Sequence, residues 1–483
     1  MKKYILYTLF FILTVSSFSC KDGFKDLSIN PNTSEFVLPQ ALLAPALVDV
    51  VAANMNRSRR ITNELMQVTV DMGDSDGKIF RYEIRKSEAD YLWNAWYTQL
   101  TNFNDIYTGG RDNLSNTYMG IARICQAWIF SMLTDTYGDV PYFNANKGRE
   151  GNITPAFDRQ KDIYEDIFTK LEEANQLLDA AEKAKETVLA SSDPIYGGSP
   201  TKWRRFGNSL YLRLLLRVSG KSEIDAVSKI KEIVQTNSVN YPIMASNDDS
   251  AILRWTGVSP LVTPFVDLRD ADWYTPKSAS FFVDNLVEWG DPRISSWVTM
   301  SRGEYVGIQS GYPVGEAPEG RSSLVTALKS SPLLGNIMNY SELQFILAEA
   351  ATRGWITTQT AQSFYEAGIT SGIAMWGATM PANYLQGASI MWDNDFSLDS
   401  KLELIHVQKY YSLFFTDLQS WFEYRRTGHP NLPIGPGVGN NGAMPSRISY
   451  PVYVQSTNGE NYKAAVASQG PDDISTKVWW QKP

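Results

Sequence analysis

The chain is poor in the residues that build disulfide frameworks and histidine metal sites. It has only two cysteines and two histidines among 483 residues. Cys125 lies in an apolar helical pattern and has no partner if Cys20 is modified, so we expect a fold without disulfide bonds. His406 and His429 do not have the close spacing of metal-ligand pairs, so we predict no metal site and no cofactor.

Several functional classes lack their signatures. No lysine- or arginine-rich run occurs and the formal net charge is −8, which argues against nucleic-acid binding. The sequence contains no nucleophile elbow, no phosphate-binding loop and no zinc-protease helix motif. After the N-terminus, no apolar run reaches the ~20 residues needed to cross a bilayer.

Acidic residues leave two alternatives open. Asp135 and Asp139 could form the carboxylate pair of a glycoside hydrolase, although the turn residues around them favour a structural role. Asp71, Asp74 and Asp76 could bind calcium, but the full ladder of oxygen ligands is missing. We therefore interpret the second group as a solvated loop.

The N-terminus has the layout of a lipoprotein signal. Two lysines precede an apolar run over 4–15, which is followed by small polar residues and Cys20. We predict a signal peptide over 1–19, acylation of the Cys20 sulfur, and an extended tether over 20–40. The mature protein is then anchored by lipid to a membrane surface.

The remainder, 41–483, is predicted to be one mainly helical domain. Apolar residues recur at steps of three and four in several segments, which predict helices over 41–70 with a break near Pro45, 90–108, 117–133, 158–185, from Thr201, 340–353, 359–376 and 399–425. We expect Gly109-Gly110 to end the second of these helices. Residues 240–335 lose this periodicity and gain proline, glycine and serine, which predicts a loop-rich insertion.

Several motifs together resemble one family. The most specific are LTDTYGDVPY, within IARICQAWIFSMLTDTYGDVPYFNA, and SWFEYRRTGHP. KWRRFGNSLYLRLLLRVS and NYSELQFILAEAA occur in the same order as in that family. The chain resembles the SusD/RagB family of nutrient-binding outer-membrane lipoproteins over nearly its whole mature length.

This resemblance implies a fold, a partner and a function. The fold is a superhelix of tetratricopeptide-like helix pairs with a loop-rich ligand-binding insertion. The partner is a SusC-like TonB-dependent outer-membrane barrel, on which the protein sits as a lid facing the cell exterior. The implied role is non-catalytic: the protein captures a glycan, or a peptide in some members, and passes it to the barrel.

The resemblance transfers no ligand site, so the candidates come from loops and helix starts, where side chains can reach a shared surface. Aromatic residues make up 12% of the chain, and their flat apolar faces suit sugar rings. The candidates are Arg81, Tyr82, Trp93, Trp96, Trp273, Tyr274, Trp297 and Tyr305. Trp93 and Trp96 share a helix face and could instead be core residues. Trp273 and Tyr274 lie in a polar stretch beside Asp270 and Asp272 and could equally bind ligand at the surface or be core residues.

Four functions stay open on the residues alone. They are a glycan-binding lid, the same architecture binding peptide or another nutrient, a surface glycoside hydrolase, and an adhesin with no small ligand.

Overall fold

The computed structural model describes residues 38–73, 75 and 77–483. The predicted signal peptide, Cys20 and most of the predicted tether therefore lie outside the described residues, as do Asp74 and Asp76. The extents of the signal, tether and domain stay predictions.

Five long helices form the N-terminal half of the described fold. They are α1 (Pro39–Arg57), α2 (Ala89–Asp112), α3 (Asn116–Tyr137), α4 (Gln160–Ala184) and α5 (Pro200–Arg217). Each packs against the next one in the chain, as expected for antiparallel helix hairpins. Local chemistry sets the starts: the Ser115 side chain caps α3, and Ser199 caps α5 ahead of Pro200 at its first position.

A second group of helices lies nearer the C-terminus. It comprises α6 (Tyr340–Thr352), α7 (Ala361–Met375), α8 (Leu398–Ser412) and α9 (Gln419–Thr427). Helix α6 packs against α7, α8 and α5, which joins the two groups. The architecture is a superhelix of helix pairs, as predicted.

Shorter elements fill the rest of the described chain. The short helices are Asn63–Leu65, Ala226–Lys231, Asp270–Tyr274, Ser280–Glu288, Ile294–Trp297, Val454–Thr457 and Gly459–Gln469. Strand Thr69–Val70 pairs antiparallel with Lys277–Ser278, and Ala251–Ile252 pairs with Asn336–Met338. Along the described part of the chain, no helix combines the length and apolar character needed to cross a membrane.

One predicted helix break and one predicted helix end are wrong. Helix α1 runs through Pro45, because the burial of its apolar face outweighs the one backbone hydrogen bond that proline removes. Helix α2 runs through Gly109-Gly110 to Asp112. A side chain at Gly109 would lie 2.9 Å from Cγ of Pro39, so this glycine permits close helix packing instead of ending the helix.

The predicted helix over 399–425 is two helices. Phe415 and Asp417 between them adopt left-handed backbone angles. This break turns the Asp417 carboxylate into the core, where it accepts hydrogen bonds from Nδ2 of Asn54 at 2.7 Å and Nε1 of Trp128 at 2.9 Å. Burial raises the pKa of Asp417 to about 7.

A buried carboxylate at the end of α3 joins distant parts of the chain. Oδ2 of Asp135 accepts a hydrogen bond from Arg217 at 2.6 Å, and Oδ1 accepts from Tyr164 at 2.8 Å and from the Trp480 indole at 2.7 Å. The Asp135 carbonyl accepts from Arg425 at 2.7 Å. We call these five residues the Asp135 centre; it links α3, α4, α5, α9 and the C-terminal segment.

Replacing Asp135 with asparagine should destabilise the whole fold. The substitution leaves the Arg217 guanidinium buried without its counter-charge, which typically costs about 3–5 kcal/mol. Thermal and urea unfolding measure the effect.

Asp162→Asn is the matched control, because Asp162 forms an ion pair with Arg159 near the surface. The Asp162 side chain is 30% exposed and the Arg159 side chain is 67% exposed. Exposed pairs are worth about 1 kcal/mol or less. Equal melting temperatures for the two variants would contradict a central role for Asp135.

Candidate functional site

An aromatic cavity of about 170 Å³ opens where α2 meets the segment between α3 and α4 and the short helix Val454–Thr457. Four pieces of chain form it: α2, the segment after α3, the loop before α4, and the short helix near the C-terminus with the residue that follows it. We call this cavity the aromatic pocket; its lining is Trp93, Tyr97, Pro141, Ala145, Asn146, Ile153, Pro155, Phe157, Val454, Thr457 and Asn458.

Three aromatic rings form one wall. The Trp93 ring centre lies 5.0 Å from that of Tyr97 and 6.2 Å from that of Phe157. Tyr137 packs edge-on against Trp93 at 5.1 Å, and the Tyr97 hydroxyl donates to the Pro141 carbonyl at 2.7 Å. These contacts fix the wall before any ligand arrives.

Amide side chains hold the opposite rim. Nδ2 of Asn458 donates to the Pro155 carbonyl at 2.7 Å, and Nδ2 of Asn461 donates to the Thr154 carbonyl at 3.0 Å. Asn461 also donates to Oδ1 of Asn458 at 2.8 Å. The loop that carries Ile153 and Phe157 is thereby tied to the C-terminal helix Gly459–Gln469.

A third amide, Asn146, lies at the foot of the wall. Its Nδ2 donates to the Tyr97 carbonyl at 2.7 Å and to the Thr101 hydroxyl at 2.6 Å. Asn146 has a φ of 59°, a left-handed conformation that asparagine tolerates better than most residues. No residue of the lining is charged, so the pocket is suited to binding an uncharged, partly apolar group and offers no acid or base.

Of the predicted site residues, the structure places only Trp93 in this pocket. Trp96 is fully buried, and its indole donates to Oδ1 of Asn54 at 2.8 Å. It is therefore a core residue, as the alternative interpretation allowed. Sequence reasoning missed Tyr97 and Phe157.

Arg81 and Tyr82 lie in a tight turn between α1 and α2. Arg81 is 1% exposed and donates to the Ser75 carbonyl at 2.7 Å. Tyr82, which has a φ of 63°, lines a separate cavity of about 340 Å³ with Ser449 and Asp472. The turn is anchored where the backbone N–H of Phe80 donates to the Glu64 carboxylate at 3.2 Å.

The interpretation of Trp273 as a surface residue is wrong. Its side chain is 2% exposed and its indole donates to the carbonyls of Leu324 and Val325 at 3.1 and 3.0 Å. The acidic neighbours misled the prediction because their own side chains reach solvent while the indole packs into the core: Asp272, which is 41% exposed, pairs with Arg269, which is 81% exposed.

The other three candidates in the predicted insertion differ in how far they are buried. Trp297 is fully buried and stacks on Phe282 with ring centres 5.8 Å apart, so it too is a core residue in this structure. Tyr274 and Tyr305 are half-buried, and ligand contact by them stays a prediction.

The acidic residues considered earlier have structural partners. Asp135 belongs to the buried centre, and Oδ1 of Asp139 accepts from the first backbone N–H of α4 at 2.9 Å. These bonds remove the reason for regarding the two as a hydrolytic pair. Asp71 forms an ion pair with Lys78 at 2.7 Å.

One buried cluster has the composition of a metal site. Glu349, His406 and Glu423 lie close enough to share an ion. Arg426 already binds Glu349 at 2.6 Å, however, and Lys409 binds Glu423 at 2.8 Å. Two cations therefore balance the two carboxylates, and we interpret the cluster as a buried ion-pair network.

Comparisons with known proteins give the family of this fold of helix pairs. A SusD-like family model, described as "Starch-binding associating with outer membrane", matches residues 31–451. The chain belongs to this SusD-like family. A search of curated proteins finds no match.

Solved structures show the same fold. A SusD homolog from Bacteroides uniformis is 25% identical with a TM-score of 0.80, covering 92% of this chain and 99% of that one. A protein described as chitin-binding is 27% identical with a TM-score of 0.78, covering 92% and 100%. A chitin-binding SusD homolog from Flavobacterium johnsoniae is 23% identical with a TM-score of 0.79, covering 92% and 98%.

Glu64, which anchors the Arg81–Tyr82 turn, should make stability depend on pH. Burial, and then the nearby Asp71 charge, raise the pKa of Glu64 to about 8, whereas an unfolded glutamate titrates near ~4.3. The folded state thus holds an extra proton between these values, and stability falls as pH rises through this window, by up to about 1.4 kcal/mol per pH unit.

Glu64→Gln keeps the side chain neutral at every pH. We expect the melting temperature of the variant, measured relative to that of the natural protein, to increase as pH rises from 5 to 8. Glu165→Gln, at a side chain that is 46% exposed, should show no such trend. A constant difference between Glu64→Gln and the natural protein across this range would contradict the buried proton.

Proposed function

We propose that this protein is a non-catalytic surface lipoprotein that captures a neutral glycan in the aromatic pocket and delivers it to a SusC-like TonB-dependent outer-membrane barrel. The observation that carries the proposal is a wall of three aromatic rings beside an uncharged rim of amide and hydroxyl groups. Pyranose rings present apolar C–H faces to such a wall, gaining about 25 cal/mol for each Å² buried. Side-chain amides can then bind the sugar hydroxyls.

The size of the pocket suggests how much ligand it takes. At about 170 Å³ it is smaller than the ~300–1,000 Å³ typical of sites that enclose a drug-sized ligand. We infer that it receives one end or one ring of a longer saccharide. Affinity for a short oligosaccharide should then be modest and rise on polymers through multivalent contact.

The comparisons support a glycan over other ligands. The family description refers to starch, and a 27% identical relative is described as chitin-binding. A peptide held by backbone pairing would need an open strand edge, and the strands of the described residues are only two or three residues long. A glycoside hydrolase requires a pair of carboxylates beside its substrate, whereas no carboxylate lines the aromatic pocket.

The lipid anchor and the barrel partner rest on the N-terminal sequence and on the family. The family is described as associating with the outer membrane, and Cys20 ends a signal of lipoprotein layout. We propose that Cys20 carries lipid and holds the mature protein at the cell surface.

Binding is tested by calorimetry with soluble maltooligosaccharides and chitooligosaccharides. Phe157→Ala removes one ring of the wall from a half-buried position, and we expect it to weaken binding about tenfold, or ~1.4 kcal/mol. Phe143→Ala is the matched control, because Phe143 is a nearby aromatic that is 48% exposed and lies outside the lining.

Equal losses in the two variants, at unchanged melting temperature, would show that the aromatic pocket is not the site. Absence of binding to both oligosaccharide series by the folded protein would argue for a different nutrient.

The partner is tested by purifying the tagged lipoprotein from its native outer membrane under mild detergent. We expect a TonB-dependent barrel in near-equal amount. Recovery of the protein alone would favour an independent surface binder. Cys20→Ala should release the protein from the membrane fraction if the sulfur carries the lipid.

A further inference from the structure

A further cavity is lined by segments of the chain that do not take part in the aromatic pocket. Its volume is about 420 Å³, larger than that of the aromatic pocket. It opens between the end of the helix Ser280–Glu288 and the loop over 381–389, and we call it the Trp289 cavity. Its lining is Glu288, Trp289, Gly290, Pro381, Asn383, Tyr384, Gly387, Ala388 and Ser389.

Buried ion pairing fixes the two walls of this cavity relative to each other. Arg293 donates to both oxygens of Asp291 at 2.9 and 2.6 Å, and these two residues are 2% and 1% exposed. The hydroxyl of Tyr384, from the opposite wall, donates to the same Asp291 carboxylate at 2.5 Å. Across the mouth, the Ser389 hydroxyl donates to Glu288. The cavity is therefore a built feature of the fold and not a gap between independent loops.

The chemistry of the lining is selective. Trp289 is half-buried and packs edge-on against Tyr411 with ring centres 5.2 Å apart. Glu288 and Asn383 are exposed, and no arginine, lysine or histidine belongs to the lining. An unbalanced carboxylate repels anionic ligands, while a carboxylate, an amide and a hydroxyl together match the donors and acceptors of sugar hydroxyls.

We propose that the Trp289 cavity is a second saccharide-binding site, separate from the aromatic pocket and built from different segments of the chain. Trp289 supplies the apolar surface, and Glu288 and Asn383 bind ring hydroxyls. The ligand class is the one assigned to the aromatic pocket under the proposed function, but the residues of the Trp289 cavity support it independently. A protein with two such sites binds a glycan polymer more tightly than either site alone would.

The test is calorimetry and saturation-transfer NMR with soluble maltooligosaccharides and chitooligosaccharides, on four single variants. Trp289→Ala should abolish one of two binding events, whereas Phe157→Ala should weaken the other. Trp289→Phe, which keeps a ring against Tyr411, should retain part of the binding. Trp355→Ala is the control, because Trp355 is also half-buried but lies outside the lining.

The outcomes separate the two proposals. A single binding event weakened by Phe157→Ala and untouched by Trp289→Ala would overturn the second site and leave the first standing. A single event lost only in Trp289→Ala would do the reverse. If Trp355→Ala also loses binding, the effect of Trp289→Ala is due to destabilisation, and the melting temperatures of the two variants would confirm this. That result would overturn the second site.

Glu288→Gln tests the ligand class. The amide still accepts a hydrogen bond, so the affinity for a neutral oligosaccharide should change less than about tenfold. Free glucosamine is a cation at neutral pH. If glucosamine binds, neutral sugars do not, and Glu288→Gln abolishes the glucosamine binding, the cavity is a cation site and the proposal is overturned.

Discussion

The structure depends on one buried ion pair, between Asp135 and Arg217. Its side chains are almost completely excluded from solvent, and removal of two charges from water is costly unless each finds complete hydrogen bonding. Tyr164 and Trp480 donate to the Asp135 carboxylate, and Arg425 donates to the Asp135 backbone carbonyl. Arg217 also donates to the side-chain oxygen of Gln419 at 3.0 Å. Because these residues come from four helices and the C-terminal segment, the pair gains these partners only when the helix pairs have assembled in one arrangement.

The aromatic pocket is built directly on this arrangement. The chain leaves α3 just beyond Asp135 and turns at Gly138, whose φ is 86°. Asp139 then binds the start of α4, and its carbonyl accepts from the Tyr450 hydroxyl at 2.5 Å. The same turn thus delivers Pro141 to the pocket and fixes the C-terminal segment beside it. The family motif around these residues is accordingly a scaffold that presents the pocket.

Individual residues show what could be predicted from sequence. Trp128 and Trp203 lie in apolar stripes of their helices and are buried, because a helical stripe must face the core wherever the helix lies. Trp273 was misassigned, because a one-turn helix has too few residues to show which face is buried. The aromatic pocket was only partly predictable: Trp93 was a candidate, but Phe157 and Asn458 are about 300 positions apart in the chain, and local pattern cannot show that they meet.

The sequence by itself determined the helical class, most of the long helices and the family, because hydrophobic periodicity and ordered motifs are local properties of the chain. Only the tertiary structure decided which aromatics remain accessible and which segments join to form a cavity. The reason is that burial is set by neighbours distant in sequence. Asp417 is an example: an acidic residue predicted inside a helix instead breaks it, because Asn54 and Trp128, far earlier in the chain, provide the hydrogen bonds that its carboxylate needs.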